Sequence, residues 1–163
     1  MNLICVGTIV NTHGIKGEVR LLSSFEEKTR VFKEGFKVYI GEEETEETIQ
    51  TYRRHKQFDM LTFVGINDIN DVLKYKGKKV YINKDDLALK DNEYLLEDLI
   101  GMNVVCDGDV LGIVSDIFET KAGKLLYVTF AKNYYIPYNN YYIKQVDVQK
   151  KTIYGKHIKD LIL

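Results

Sequence analysis

Catalytic and metal chemistry draws on histidine, cysteine and paired carboxylates, and this 163-residue chain spreads them thinly. Its histidines are His13, His55 and His157; its cysteines are Cys5 and Cys106. No two of the histidines stand at metal-ligand spacing and none adjoins a cysteine. A zinc framework needs more ligands, closer together. The chain has no Gly-x-Ser-x-Gly, no His-Glu-x-x-His and no paired-carboxylate signature. No nucleophile has an evident base, so the expectation is a protein that is not an enzyme and needs no cofactor or metal. Each cysteine lies in an apolar run (Leu3-Ile4-Cys5-Val6 and Val104-Val105-Cys106). Free thiols pack as small hydrophobes, so both are expected to be buried.

Three other groupings could bind something. Gly14-Ile15-Lys16-Gly17 invites comparison with phosphate loops. It lacks the Gly-Lys-Ser/Thr of a Walker loop, and a Gly-x-x-Gly clamp of the KH kind needs helical surroundings. Here strands flank it. The simplest reading is a tight hairpin-like connection that leaves His13 and Lys16 exposed at its tip. Arg53-Arg54-His55-Lys56 and Lys74, Lys76, Lys78 and Lys79 form two basic clusters, read either as solvated surface or as contact patches. Tyr134-Tyr135-Ile136-Pro137-Tyr138-Asn139-Asn140-Tyr141-Tyr142 is rich in aromatics with little interleaved charge. It reads as barrel wall with outward hydroxyls rather than as a base-stacking platform.

The elements that must position these residues are mostly strands. The chain has twelve Tyr and a single Pro, and Tyr, Val and Ile suit a half-buried pleated surface. Strands are expected at 3–10, 18–22, 36–40, 48–53, 58–64 and 79–82. In the second half they are expected at 102–106, 110–118, 125–131, 134–137 and near 152–154. An acidic run, 42–47, should stay in water. One helix is expected in the first half, Asp68 to Tyr75, with Ile69, Val72 and Leu73 on its buried face. Further on, Leu96, Leu99 and Ile100 have the spacing of a helical turn packed on the second core. Polar stretches around Leu87-Ala88-Leu89 mark a boundary. The chain is therefore read as mainly β, with two small β-barrels: residues 1–86, a linker 87–93, and residues 94–163. Barrel closure removes open sheet edges and lets such small domains remain monomeric.

A formal net charge of -1 argues against a dominant, non-specific grip on phosphates. A mean hydropathy of -0.24, and no apolar run of membrane-spanning length, point to a soluble chain with no membrane partner. The start, Met1-Asn2-Leu3-Ile4-Cys5-Val6, has no basic n-region and no small-residue cleavage site, so a cytoplasmic location is expected.

Val6-Gly7-Thr8-Ile9-Val10-Asn11-Thr12-His13-Gly14-Ile15-Lys16-Gly17-Glu18-Val19 closely resembles the opening signature of the RimM family. Arg53-Arg54-His55-Lys56 followed by Phe63-Val64-Gly65-Ile66-Asn67-Asp68 resembles that family's basic hairpin. Glu93-Tyr94-Leu95-Leu96-Glu97-Asp98-Leu99-Ile100-Gly101-Met102-Asn103-Val104 resembles the start of its C-terminal PRC-barrel. The resemblance spans nearly the whole chain. It implies a translation-factor-like N-terminal barrel followed by a PRC-barrel. It also implies a non-catalytic role in maturation of the 30S subunit and the 3′ region of 16S ribosomal RNA. The implied partners are the nineteenth small-subunit ribosomal protein, which belongs to the head, and the 30S precursor, with possible contact to 16S ribosomal RNA. An alternative is an rRNA-binding maturation factor, or a PRC-barrel adaptor for another partner. The family has two adjacent tyrosines at the junction; here Tyr94 matches the first and Leu95 replaces the second. Partner contact is thus expected at Tyr94, Leu95, His13, Lys16, Arg53 and Arg54. The C-terminal Asp160-Leu161-Ile162-Leu163 also departs from the family's Gly-Leu-Leu-like ending.

Overall fold

A computed structural model describes residues 1–162; Leu163, the last residue of that C-terminal sequence, lies outside them. The chain divides into two compact units, Met1–Ala88 and Leu89–Leu163.

In the first unit six strands close on themselves: β1 (Leu3–His13), β2 (Glu18–Leu22), β3 (Lys37–Ile40), β4 (Thr45–His55), β5 (Phe58–Phe63) and β6 (Lys79–Asn83). Their order around the barrel is β1-β2-β5-β4-β3-β6. Alternation sets the lining: Val6, Ile9, Val19, Leu21, Val38, Ile49 and Ile82 point inward and are buried. A small barrel demands strong curvature. β1 supplies it with register breaks between Cys5 and Gly7 and between Ile9 and Asn11, and β4 with one between Ile49 and Thr51. An extra residue at such a break bends the strand and adds twist. Because Val6 points inward, Cys5 points outward and is exposed, so only Cys106 of the two cysteines is buried. A four-residue helix, Lys28–Val31, buries Val31 against this barrel.

The acidic run behaves in two ways. Glu42, Glu43 and Glu44 are exposed in the β3–β4 turn, but Glu47 is half-buried and accepts the Tyr75 hydroxyl. Burial and that neighbouring carboxylate push the Tyr75 phenol well above its ordinary range.

The expected helix over Asp68–Tyr75 forms instead as two 3₁₀ turns, Ile69–Asp71 and Leu73–Tyr75. The Asp68 side chain caps the first by accepting from Asn70 N–H at 2.9 Å. Val72 and Tyr75 are buried at a spacing of three, while Leu73 is 50% exposed and Ile69 only half-buried. Three residues per turn put i and i+3 in line, and eight residues are too few to stabilise an α-helix by themselves. Tyr75, edge-on to Phe63 with centroids 6.2 Å apart, fixes the tighter geometry.

The second unit is a six-stranded sheet: β7 (Asn103–Cys106), β8 (Asp109–Thr120), β9 (Gly123–Thr129), β10 (Tyr134–Pro137), β11 (Ile143–Asp147) and β12 (Thr152–Gly155). Its order is β10-β9-β8-β7-β12-β11, and β12 runs parallel to β7. The two edge strands share one core: Tyr134 and Ile136 from β10, and Ile143 from β11, join Val104, Val114, Leu126, Val128 and Ile153. The sheet therefore wraps around its own apolar side. β11 was not expected from the sequence, because Ile143-Lys144-Gln145-Val146-Asp147 buries only Ile143 fully. Tyr134 corrects another expectation. Its hydroxyl points inward and donates to Leu111 C=O at 2.7 Å, and burial pushes the phenol up to about 12.

Candidate functional site

The barrel end of the first unit carries four of the candidate residues. β1 and β2 meet in the turn 14–17, as the strand pattern required. Gly17 sits at φ +96°, where a Cβ would stand 2.9 Å from Ile66 Cγ2, so glycine alone fits without displacement. The turn is anchored by Ile69 N–H donating to Ile15 C=O at 2.9 Å. Ile15 and Lys16 are exposed at the tip, beside a shallow cavity of about 410 Å³ lined by His13, Ile15, Lys16, Glu18 and Thr62.

His13 is half-buried rather than free. Its Nδ1 lies 2.8 Å from Arg20 Nη2, a contact that makes this ring nitrogen an acceptor because guanidinium can only donate. Its ring lies 5.7 Å from that of His55 across the strands. Partial burial, then Arg53, Lys56, His13 and Arg20, hold His55 below its ordinary pKa.

Arg53 and Arg54 lie on adjacent positions of β4 and point to opposite sides of it. Arg53 grips Glu18 of β2 with both Nε and Nη2, at 2.9 and 2.7 Å, and that bond holds the Glu18 carboxyl below its usual range. Arg54 Nη1 donates to Asp59 Oδ1 at 3.1 Å. Asp59 is fully buried on β5 and also accepts the Tyr52 hydroxyl at 2.6 Å, with Lys28 Nζ at 2.9 Å from Oδ2. Burial alone would raise this carboxyl; its three partners together overcome that and hold it low. Tyr52 is pushed up to about 12 by burial and by the Asp59 carboxylate. This buried ion cluster was missed in the sequence. Its one signal was an aspartate inside the apolar strand Phe58-Asp59-Met60-Leu61.

The remaining candidates lie at the start of the second unit. Leu96–Leu99 forms a 3₁₀ turn with Leu96 and Leu99 buried; Ile100, expected beside them, is 47% exposed. Leu95 N–H donates to Asp98 Oδ2 at 2.8 Å, which fixes the chain's entry to this turn. Leu95 itself is 1% exposed. It offers no surface for contact, contrary to its place among the candidates. Tyr94 is half-buried against the second core, and its hydroxyl lies 2.6 Å from that of Tyr138. The pair borders a cleft of about 250 Å³ whose far wall is Asn139, Asn140, Lys144 and Gln145.

Among the described residues, no group of three His, Cys, Asp or Glu side chains could hold a metal, and no helix is long and apolar enough to cross a membrane. Fold and surface together define a two-domain β protein whose candidate residues, the buried Leu95 apart, lie at the first barrel's end and beside a cleft of the second unit. Residues 4–87 match the family model of the RimM N-terminal domain, and residues 96–161 that of the RimM PRC barrel domain. The ribosome maturation factor RimM of Staphylococcus haemolyticus is 44% identical over 153 residues, covering 91% of this chain and 92% of that protein. Its counterpart in an Exiguobacterium species is 37% identical over 159 residues, covering 94% and 92%. A crystal structure from Pseudomonas aeruginosa, described as a 16S ribosomal RNA processing protein RimM, covers 98% of this chain and 100% of that chain, at 18% identity and a TM-score of 0.43. The chain belongs to the RimM family.

Proposed function

We propose that the chain is a non-catalytic ribosome assembly factor of the cytoplasm. It binds a protein of the small-subunit head, the nineteenth small-subunit ribosomal protein, on the 30S precursor. By doing so it promotes maturation of the 30S subunit and of the 3′ domain of 16S ribosomal RNA. The observation that carries this reading is the extent of the kinship. Ribosome maturation factors match this chain over 91% of its length, through both domains.

Protein rather than RNA is favoured as the main partner by the fate of the arginines. Arg53 and Arg54 are each paired with a carboxylate, which offsets the charge either would offer a phosphate. Lys16 at the tip remains exposed and can add a single charge contact. Of the junction pair, Tyr94 at the rim of its cleft is the contact, and Leu95 is buried.

The test is capture of small-subunit precursors by the tagged full-length chain. An interface aromatic contributes about 2 kcal/mol when truncated, so Tyr94→Ala should weaken capture by more than about tenfold. Tyr138→Phe removes the hydroxyl partner and leaves the Tyr94 ring, and should retain most of it. The melting temperature should fall modestly in Tyr94→Ala, whose ring is half-buried on the second core, and change little in Tyr138→Phe. A large fall in melting temperature with capture intact would make Tyr94 a packing residue only. If instead affinity for the precursor falls steeply with salt, counterion release is at work and direct RNA binding becomes the better reading.

A further inference from the structure

An antiparallel sheet with one solvated face ordinarily turns polar residues outward. Strands β8, β9 and β10 also turn aromatic and apolar residues outward. Their pairing places Asp116, Tyr127 and Tyr135 in one row across the three strands, and Phe118, Leu125 and Pro137 in the next. Their neighbours Ile117, Leu126 and Ile136 pack on the core side, so these two rows face away from it. Phe118 is 43% and Tyr135 48% exposed. The three rings gather into a cluster, with Tyr127 and Tyr135 centroids 4.9 Å apart and Phe118 6.2 Å from each. Asn133 Nδ2 donates to the Tyr127 hydroxyl at 3.0 Å and holds that ring in place.

The charge beside the rings is negative and uncompensated. The Asp116 carboxylate accepts its own neighbour's amide, Ile117 N–H, at 2.7 Å, and no lysine or arginine pairs with it among the described residues. Glu119, farther along β8, has Lys124 at 3.7 Å. A carboxylate in register with electron-rich ring faces attracts cations and repels phosphates. The rings are also mutually tilted, by 50° to 74°, so they do not form the flat platform on which successive bases stack.

We propose that the outward face of β8–β10 docks an arginine-bearing segment of a basic protein, the guanidinium lying over Tyr127 and Tyr135 with Asp116 as its counter-charge. This deepens the assembly reading and rests on it only in taking the partner to be a protein. Arginine fits better than lysine because its planar group stacks on rings while still donating to a carboxylate.

The test uses the ¹⁵N-labelled full-length chain, titrated with acetyl-(Gly-Arg)₄-amide. Amide shifts should centre on Asp116, Phe118, Tyr127 and Tyr135. Tyr135→Ala and Asp116→Asn should each weaken binding about threefold to tenfold without changing the melting temperature, since both side chains are exposed. A (Gly-Lys)₄ peptide should bind more weakly, and (Gly-Glu)₄ and an oligouridylate should leave these amides unmoved. The proposal is overturned if shifts are as large at the exposed Glu42–Glu44 turn, if both variants bind as the parent does, or if the oligouridylate takes the patch in preference. Precursor capture separates this from the broader reading. Capture retained by Tyr135→Ala removes the patch from that interface and leaves the assembly role standing. Failure of capture by the parent chain removes the assembly role, while the peptide result still decides the patch.

Discussion

Asp59 shows how one residue can organise its surroundings. It is a fully buried carboxylate held by Tyr52 and Arg54 of β4 and by Lys28 of the Lys28–Val31 helix. Asp59→Asn removes the charge and leaves those partners facing a neutral group. Removing one member of a fully buried pair costs roughly 3–5 kcal/mol. Lys28 is 25% and Arg54 51% exposed, so water takes up part of the loss and about 2 kcal/mol is expected in chemical denaturation. The pH dependence has a definite sign. The folded-state pKa values of Asp59 and Glu18 are lowered. Their contribution is therefore complete above the ordinary carboxylate range and is lost as pH falls through the lower folded values. His55 is also lowered, so its contribution is complete above the ordinary histidine value and declines as pH falls through the folded one. Stability should rise from strongly acidic pH towards neutrality. In Asp59→Asn the acidic part of that rise should be shallower; an unchanged slope would show that the carboxylate's low pKa does not exist.

At the scale of elements, tight packing of strand on strand sets the limits. Gly112 on β8 has φ +120°, and a Cβ there would lie 2.5 Å from Thr129 C=O and 2.8 Å from Val128 Cγ1. Backbone carbonyls in a ladder cannot move aside cheaply. Gly112→Ala should therefore cost at least about 2 kcal/mol, combining a conformation that L residues avoid with overpacking. Thermal unfolding measures this, and an unaltered melting temperature would mean that β8 and β9 are not this close. The two short helical segments carry a related lesson. At 69–75 and 96–99 the sequence shows apolar residues at i, i+3 and i+4, the α-helical spacing. Both segments fold as 3₁₀ turns, and in each the i+4 residue, Leu73 or Ile100, is left exposed. A segment of one or two turns follows the core it must fill more than its own period.

At the scale of the whole molecule, the stretch from Ala88 to Tyr94 contains no strand or helix. Lys90 is exposed within it, and its amide is held by the Glu93 side chain at 3.1 Å. Exposed backbone of this kind is where proteases cut first. Brief trypsin treatment should cleave after Lys90 and leave two resistant fragments, each with its own core. First cleavage within 121–124, or rapid loss of both halves, would argue against independent units.

Much of the β architecture was written in the chain itself. Alternating Val, Ile, Leu and Tyr between turn residues marked eleven of the twelve strands, and the two glycines after His13 marked the β1–β2 turn. This is local information, since side-chain period and turn chemistry act within a few residues. The family, too, was legible, because its signatures are contiguous. Only the tertiary structure decided which candidate residues reach water. It turned Cys5 outward, buried Leu95 beside an exposed Ile100, and closed Glu18 onto Arg53, which lies 35 positions away. It also set Phe118, Tyr127 and Tyr135, from three strands, into one cluster beside Asp116. Such outcomes depend on register and strand order, and those are fixed by closing a sheet over a shared core, which no single segment encodes.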